Sequence, residues 1–245
     1  MIPTIGATTT PYVTTDQMIE VDRAMIEDYG IDLVRMMENA GRALAHLARA
    51  RFLAGDPQGR HVVVLAGTGG NGGGVLVAAR RLHNYGAQVT ALVTKPDESL
   101  TPVPRDQLAI LRNMGVTVGR ADHARDLAAA DVVLDGLIGY TLRGAPRGAA
   151  ATLIRWANEQ TAPVLSLDAP SGIDTTTGAV FDPAVNATAT MMLALPKEGL
   201  RKPEVGKNVG DLYLADISVP PELYARFLNL EVPPIFAKAD IVQLV

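Results

Sequence analysis

The stretch GTGGNGGG, from Gly67 to Gly74, holds six glycines in eight residues and is the first candidate for chemistry in this sequence. It follows the apolar run HVVVLA and precedes a helical pattern. A glycine-rich loop between a strand and a helix exposes backbone N–H groups at the positive end of the helix dipole, where phosphate binds well. The alternative is a tight turn whose glycines only serve chain geometry. Because six glycines exceed what a turn needs, we favour a phosphate or pyrophosphate site.

Two aspartates follow apolar runs in a similar way. Asp135 comes after DVVL, and Asp168 comes after PVLSL and begins the stretch DAPSGID. An aspartate in such a place is either a helix cap or a functional carboxylate, and two of them beside glycine-rich turns favour function. Oxygen atoms from Asn71, Asp135 and Ser171 would suit a hard cation, and a single carboxylate among neutral oxygens favours a weakly charged ion. Ser171 has no plausible histidine partner by sequence position, which disfavours a serine hydrolase.

Composition excludes several other classes of protein. The chain has 245 residues, 48% of them hydrophobic and 20% charged, as is ordinary for a globular protein. A net charge of -4 argues against a nucleic-acid partner. The absence of cysteine excludes disulfides, thiolate zinc sites and cysteine nucleophiles. No apolar run approaches the ~20 residues of a membrane span, and no targeting segment is visible, so we expect a cytoplasmic protein without membrane contact.

Two helices are predicted ahead of the first strand. Thr14 and Gln17 have the spacing of a capping box, and a helical pattern follows it as far as Gly30. A second helical pattern begins near Asp32. These two helices could supply the face of a homodimer.

Strand and helix patterns then alternate along the chain, which predicts an α/β fold with three layers, helices on both faces of a mostly parallel sheet. We predict one domain over residues 1–245, with residues 1–11 as a loose arm and residues 228–245 as a peripheral tail. Ligands bind outside the carboxyl ends of the strands in such sheets. The glycine stretch, Asp135 and Asp168 would therefore meet at one cleft.

The chain resembles the NAD(P)H-hydrate epimerases, also called the YjeF N-terminal domain family. Any one matching motif is weak, but six of them in the same order are specific. The matching segments are Gln17–Gly41, Gly67–Leu82, Asp131–Gly144, Leu167–Asp174, Leu193–Leu200 and Gly210–Pro220.

The resemblance implies a Rossmann-like fold and a repair reaction. The family interconverts the R and S forms of NADH and NADPH that are hydrated at C6 of the nicotinamide ring, so that a dehydratase specific for the S form can restore the cofactor. It implies Asp168 as the acid/base at that ring, and a potassium ion with Asn71, Asp135 and Ser171 as ligands. It also implies substrate contacts from Gly70, Asn71, Gly72, Gly73 and Gly74, and from Gly139, Tyr140, Thr141, Leu142, Arg143, Gly144 and Ala145.

Lys197 lies in a stretch similar to the family's Pro-Lys-x-Gly, and is either a further substrate contact or a surface lysine. The glycine loop departs from the family pattern, since Gly70, Gly74 and Val75 stand where the family usually has Asn, Asp and Gly. A non-catalytic nucleotide-binding or scaffold protein of the same fold is therefore the alternative. The chain is too short for a fused dehydratase domain, so the dehydratase is expected to be a separate protein.

Overall fold

The computed structural model describes residues 2–245, which form a nine-stranded sheet flanked by helices. The strands are β1 (Thr4–Ile5), β2 (His61–Ala66), β3 (Gln88–Val93), β4 (Thr117–Arg120), β5 (Val132–Gly136), β6 (Val164–Leu167), β7 (Ala189–Leu193), β8 (Asp211–Ala215) and β9 (Ile241–Leu244). The helices are α1 (Thr15–Glu27), α2 (Leu33–Arg51), α3 (Gly70–Asn84), α4 (Pro102–Asn113), α5 (Gly148–Glu159), α6 (Gly206–Val209) and α7 (Pro221–Leu228).

The strand order is β1-β9-β8-β7-β6-β5-β2-β3-β4, and every neighbouring pair is parallel except β8 with β9. The predicted α/β, mostly parallel fold is confirmed. No helix within residues 2–245 is both long enough and apolar enough to cross a bilayer.

Alternation along β2 shows how the three layers form. Val62 and Val64 belong to a hydrophobic cluster with residues of α1 to α4, whereas Val63 and Leu65 belong to a second cluster with residues of α5. Successive side chains of a strand point to opposite faces, so an uninterrupted β-branched run is suited to a sheet that is covered on both sides.

The two leading helices begin as the sequence predicts. The Thr14 hydroxyl accepts a hydrogen bond from Gln17 N, the Gln17 side chain accepts one from Thr14 N, and Asp32 caps α2. Helix α2 packs along α3, and α1 packs against α7. Ile19 and Ile26 are exposed on α1, and a homodimer through this helix stays a prediction.

Both terminal segments differ from the prediction. Residues of the expected loose arm form β1, which pairs with β9 from the expected peripheral tail, and β9 in turn pairs with β8. Val245 N donates to Ile5 O, and Ala7 N donates to Val245 O. A two-residue strand carries almost no signal of its own in a sequence, because its pairing depends on a segment more than 230 residues away.

Candidate active site

The carboxyl ends of β2, β5 and β6 open into one cavity of about 360 Å³. These three strands are neighbours in the sheet, so the sequences that follow them converge as predicted. Predicted site residues that line the cavity are Gly70, Asn71, Gly139, Tyr140, Thr141, Asp168 and Lys197. Thr68 and Gly69 of the glycine stretch line it as well, together with residues that are not candidate site residues in the sequence: Met18, Asp22, Leu33, Met37, Leu137, Ile138, Leu193 and Ile217.

The glycine stretch makes the turn from β2 into α3 at the cavity wall. A Cβ on Gly67 would lie 1.9 Å from the carbonyl oxygen of Leu137, and one on Gly72 would lie 2.1 Å from the carbonyl oxygen of Gly67. These two glycines are therefore required because the loops touch backbone to backbone. The carbonyl oxygen of Thr68 accepts bonds from the N–H and the hydroxyl of Thr101, which fixes the turn.

Only the first residues of α3 face the cavity. Gly72, Gly73 and Gly74 are buried within α3 and do not line it, so a direct substrate contact from these three is not supported. The free backbone N–H groups of a helix lie in its first turn. Gly70 and Asn71 of this 15-residue helix are therefore the groups positioned for an anion.

Asp168 lies at the point where β6 ends, and it is only 1% exposed. Its φ is +66°, a left-handed conformation that costs a non-glycine residue roughly 1–2 kcal/mol. Its backbone N–H donates to Met191 O at 2.7 Å, and its Oδ1 accepts from Leu193 N at 3.3 Å. Oδ2 is buried and has no hydrogen-bond partner within residues 2–245. One carboxylate oxygen is thus held by the protein while the other is left free in a residue that lines the cavity.

Lys197 is the ionic partner of this carboxylate. Its side chain is completely buried, and Nζ lies 2.5 Å from Asp168 Oδ1 and 2.8 Å from Leu193 O. The interpretation of Lys197 as a surface lysine is therefore wrong. Val13 holds the backbone on either side of Lys197, because its N–H donates to Pro196 O and its carbonyl accepts from Glu198 N.

Asp22 is an acidic cavity residue that sequence reasoning missed. It projects from α1, and its Oδ2 accepts a short hydrogen bond from the hydroxyl of Tyr140. Burial raises the pKa of Asp22 and outweighs the Tyr140 hydrogen bond and the Lys197 charge, which lower it. Burial also raises the pKa of Tyr140, with the negative charge of Asp22 acting in the same direction. The signal that could have found Asp22 is its spacing of four residues from Met18, which places a carboxyl on the face of α1 that carries buried residues.

Two of the predicted cation ligands, Asp135 and Ser171, lie behind the cavity wall. Asp135 is fully buried, and four hydrogen bonds reach its carboxylate: two from Ser171 at 2.6 and 2.9 Å, one from Ser166 and one from Leu137 N. Burial raises the pKa of Asp135, and these hydrogen bonds oppose the effect. Within residues 2–245, no basic side chain forms an ion pair with Asp135. No group of three or more His, Cys, Asp or Glu residues in this part of the chain could hold a metal.

Asn71, the third predicted ligand, packs against the loop that follows Asp135. Its Nδ2 donates to Leu167 O at 2.8 Å, and a Cβ on Gly139 would lie 2.7 Å from its amide carbon. Asn71 therefore ties the end of β6 to the loop after β5. This geometry brings all three residues to the same pair of loops, while ion binding by them stays a prediction.

The segment after β5 leaves the cavity within a few residues. Gly139, Tyr140 and Thr141 line it, whereas Leu142, Arg143, Gly144 and Ala145 do not. The last three of these are exposed at the surface. A contact from them requires a ligand that extends beyond the cavity.

A sequence model of the family described as YjeF-related protein N-terminus matches residues 34–199. The chain belongs to this family. It is 42% identical to an NAD(P)H-hydrate epimerase of Dehalogenimonas lykanthroporepellens, across 90% of this chain and 87% of that protein. It is 33% identical to an NAD(P)H-hydrate epimerase of Rhodopirellula baltica, across 89% and 88% of the two chains.

Longer relatives and a solved structure agree with this membership. A Bifunctional NAD(P)H-hydrate repair enzyme Nnr of Salinibacter ruber is 35% identical across 88% of this chain, and the matched part is 42% of that protein's length. The crystal structure of the yeast protein YNL200c superposes with a TM-score of 0.80, covering 96% of this chain and 100% of that chain at 23% identity. At 23% identity, this superposition supports the fold alone.

The structure explains how the altered glycine loop of this YjeF-related chain packs. Val75 is fully buried in α3 and lies against Gly136, where a Cβ would be only 2.3 Å from a Val75 methyl. A Cβ on Gly70 would meet no atom closer than 3.8 Å, whereas one on Gly74 would lie 2.6 Å from a methyl of Leu167. Gly70 therefore leaves room at the cavity, whereas the space beside Gly74 is filled by the side chain of Leu167.

Proposed function

We propose that this protein interconverts the R and S epimers of hydrated NADH and NADPH at C6 of the nicotinamide ring. The observation that carries the proposal is the Asp168–Lys197 ion pair, buried at the end of β6 with Asp168 Oδ2 unpartnered in the cavity wall. The similarity to proteins named NAD(P)H-hydrate epimerase supports it. Removal of water from the S epimer, which regenerates the cofactor, is assigned in this proposal to a separate dehydratase.

The chemistry suits a carboxylate at this position. C6 carries both a hydroxyl group and the ring nitrogen, so inversion requires one bond at C6 to break and to form again on the other face. Asp168 Oδ2 would exchange a proton with the hydroxyl oxygen, a contribution of ~10²–10⁴ in rate. An intermediate with a C=N bond is cationic, and the negative charge of Asp168 in a water-poor site would stabilise it. Lys197 keeps the carboxylate in place through Oδ1.

The cavity fits part of a dinucleotide. A volume of about 360 Å³ is at the lower end of ordinary ligand pockets, ~300–1,000 Å³, and suits the nicotinamide and its ribose. The first turn of α3, at Gly70 and Asn71, would bind the pyrophosphate. The remainder of the nucleotide would then extend towards the exposed residues 143–145.

We also propose that Asn71, Asp135 and Ser171 hold a potassium ion, which would supply a positive charge close to the nicotinamide site. Support comes from the fully buried Asp135 carboxylate, which lacks an ionic partner within residues 2–245, and from three oxygen-bearing side chains that suit a hard monovalent ion. Potassium chloride should then raise the melting temperature of the protein above its value in tetramethylammonium chloride at equal ionic strength. Asp135→Asn should abolish this difference; equal melting temperatures of the wild-type protein in both salts would refute the ion site.

Gly70 favours the alternative, a non-catalytic nucleotide-binding protein. The family usually has an asparagine at this position, and its side-chain amide is missing from the cavity. The relatives named epimerases do not favour it, and a binding role gives no reason for a buried ion pair beside a free carboxylate oxygen.

The deciding assay supplies the R epimer of hydrated NADH with an excess of S-specific dehydratase and follows the recovery of NADH absorbance. The wild-type protein should accelerate recovery. Asp168→Asn should lose ~10²–10⁴ of the rate while it still binds the nucleotide, and the exposed control Asp122→Asn should match the wild type. Recovery by the wild type at the uncatalysed rate would refute the function. Equal loss of turnover and nucleotide binding in Asp168→Asn would make Asp168 structural.

A further inference from the structure

We propose that Asp22, positioned by Tyr140, is a second proton-transfer group of this site and serves the face of C6 that Asp168 does not reach. The inference rests on the proposed epimerase function and adds a second acidic residue to it.

Asp22 and Asp168 reach the same cavity from different elements. Asp168 follows the carboxyl end of β6, a central strand of the sheet, whereas Asp22 lies on helix α1. The neighbouring carboxylates of α1, Glu20 and Glu27, both form surface ion pairs with Arg23. Asp22 has no ion pair within residues 2–245, and the Tyr140 hydroxyl is the one hydrogen-bond partner of its carboxylate there. Its carboxyl group is therefore directed to the cavity rather than used to stabilise the helix surface.

Helix α1 is fixed so that this position is well defined. Thr15 N donates to the Thr176 hydroxyl at 2.9 Å, and the Thr15 hydroxyl is 2.8 Å from that of Thr175. The Thr175 hydroxyl in turn donates to the carbonyl oxygen of Tyr140. The same hydroxyl network thus joins the start of α1 to the backbone of the residue that binds Asp22.

Inversion at one carbon benefits from a proton-transfer group on each face. In one direction, a protonated carboxyl gives its proton to the departing hydroxyl, the C6–O bond breaks to release water, and the ring nitrogen lone pair forms a C=N bond. A water molecule then attacks C6 from the other face, its oxygen forms the new C–O bond, and a carboxylate there takes the proton. One proton has moved from the first carboxyl to the second, and exchange with solvent restores both.

The surroundings of the two groups match these roles. Asp168 is ion-paired with Lys197 and carries the negative charge, so it is the group that accepts a proton. Burial raises the pKa of Asp22 by more than the Tyr140 hydrogen bond and the Lys197 charge lower it, which favours the protonated form as donor. Reversal of the reaction exchanges the two roles.

The experiment uses the full chain with a single epimer of hydrated NADH in ¹⁸O-labelled water and measures two rates. One is epimerisation, and the other is incorporation of ¹⁸O at C6 with retained configuration. Asp22→Asn should slow epimerisation by ~10²–10⁴. Exchange with retention should continue within about tenfold of the wild type for the epimer whose hydroxyl faces Asp168, because Asp168, once it has taken a proton from solvent, can expel water and take the proton back as water adds again, without Asp22. Tyr140→Phe should give a smaller loss, and Glu20→Gln on the outer face of α1 is the matched control.

Each outcome separates the inference from the function it rests on. Absence of epimerisation by the wild-type protein would overturn both. Epimerisation by Asp22→Asn within threefold of the wild type would overturn the role of Asp22 and leave the function intact. A parallel fall of epimerisation, exchange and nucleotide binding would make Asp22 a structural residue and would also overturn the inference.

Discussion

Replacing Lys197 with methionine should destabilise the protein strongly, because it leaves the Asp168 carboxylate buried without its counter-ion. The two side chains are 0% and 2% exposed, so the folded protein leaves the carboxylate little contact with water in place of the ammonium group. Methionine has a similar length and is apolar, so the change removes the charge and both hydrogen bonds of Nζ while it keeps most of the packing.

The expected size follows from this burial. Removal of one partner from a buried ion pair costs about 3–5 kcal/mol in free energy of unfolding. For a chain of this size, each 1 kcal/mol lowers the melting temperature by about 2–4 °C, so Lys197→Met should melt about 6–20 °C below the wild type. Asp168→Asn, which leaves the ammonium group unpaired, should lose a similar amount. The double variant carries neither charge, so it should be at least about 2 kcal/mol more stable than the sum of the single losses implies.

Urea denaturation followed by circular dichroism measures all four proteins of this cycle. The exposed Lys95→Met is the control for loss of a lysine charge, and its stability should stay within about 0.5 kcal/mol of the wild type. A loss below about 1 kcal/mol in Lys197→Met, or single losses that simply add in the double variant, would refute the reasoning that the pair is a desolvated unit.

Two further predictions concern the glycine stretch. Gly67→Ala should destabilise the protein by more than about 3 kcal/mol, because its Cβ would lie 1.9 Å from a backbone carbonyl oxygen that cannot move freely. Gly69→Ala, whose Cβ would have no atom within 4 Å, should fold normally. Equal melting temperatures of the two variants would contradict the close approach at Gly67. Gly70→Asn should keep its stability within about 1 kcal/mol and tighten nucleotide binding, since the cavity has room for the amide there. Gly74→Asp should lose stability, because its Cβ would lie 2.6 Å from a methyl group of Leu167. Calorimetry with the nucleotide and thermal melts check this pair, and a loss of stability in Gly70→Asn would show that the space is not usable.

Sequence patterns reveal the parts of this site that depend on local chemistry. The run from His61 to Ala66, followed by glycines, predicts a buried strand and a helix start because both signals lie within a few residues of each other. Asp135 and Asp168 could be placed at strand ends by the same logic, and the parallel fold then brought those ends together.

The remaining parts depend on contacts between distant segments, which periodicity does not encode. Lys197 follows a short strand and looks like a loop lysine until the fold buries it beside Asp168. Asp22 belongs to a helix whose docking position is set by Tyr140 and by hydroxyl groups of another loop. The sequence predicts Asp135 and Ser171 as cation ligands. The hydrogen bond that the Ser171 hydroxyl donates to Asp135 depends on the folded structure, which brings the two segments together.

The hydroxyl contacts that join Thr15 to Thr175 and Thr176 connect residues 160 and 161 positions apart in the chain. Loop-closure cost rises with sequence separation, although slowly, and such non-local contacts are slow to form during folding. We therefore expect the cavity wall that carries Asp22 to form after strands β2 to β8 have paired, because those strands are closer together in the sequence; Val62 of β2, for example, pairs with Val132 of β5. Recovery of activity during refolding should accordingly lag behind the recovery of helical signal, so that turnover reports the last step of folding and spectroscopy an earlier one.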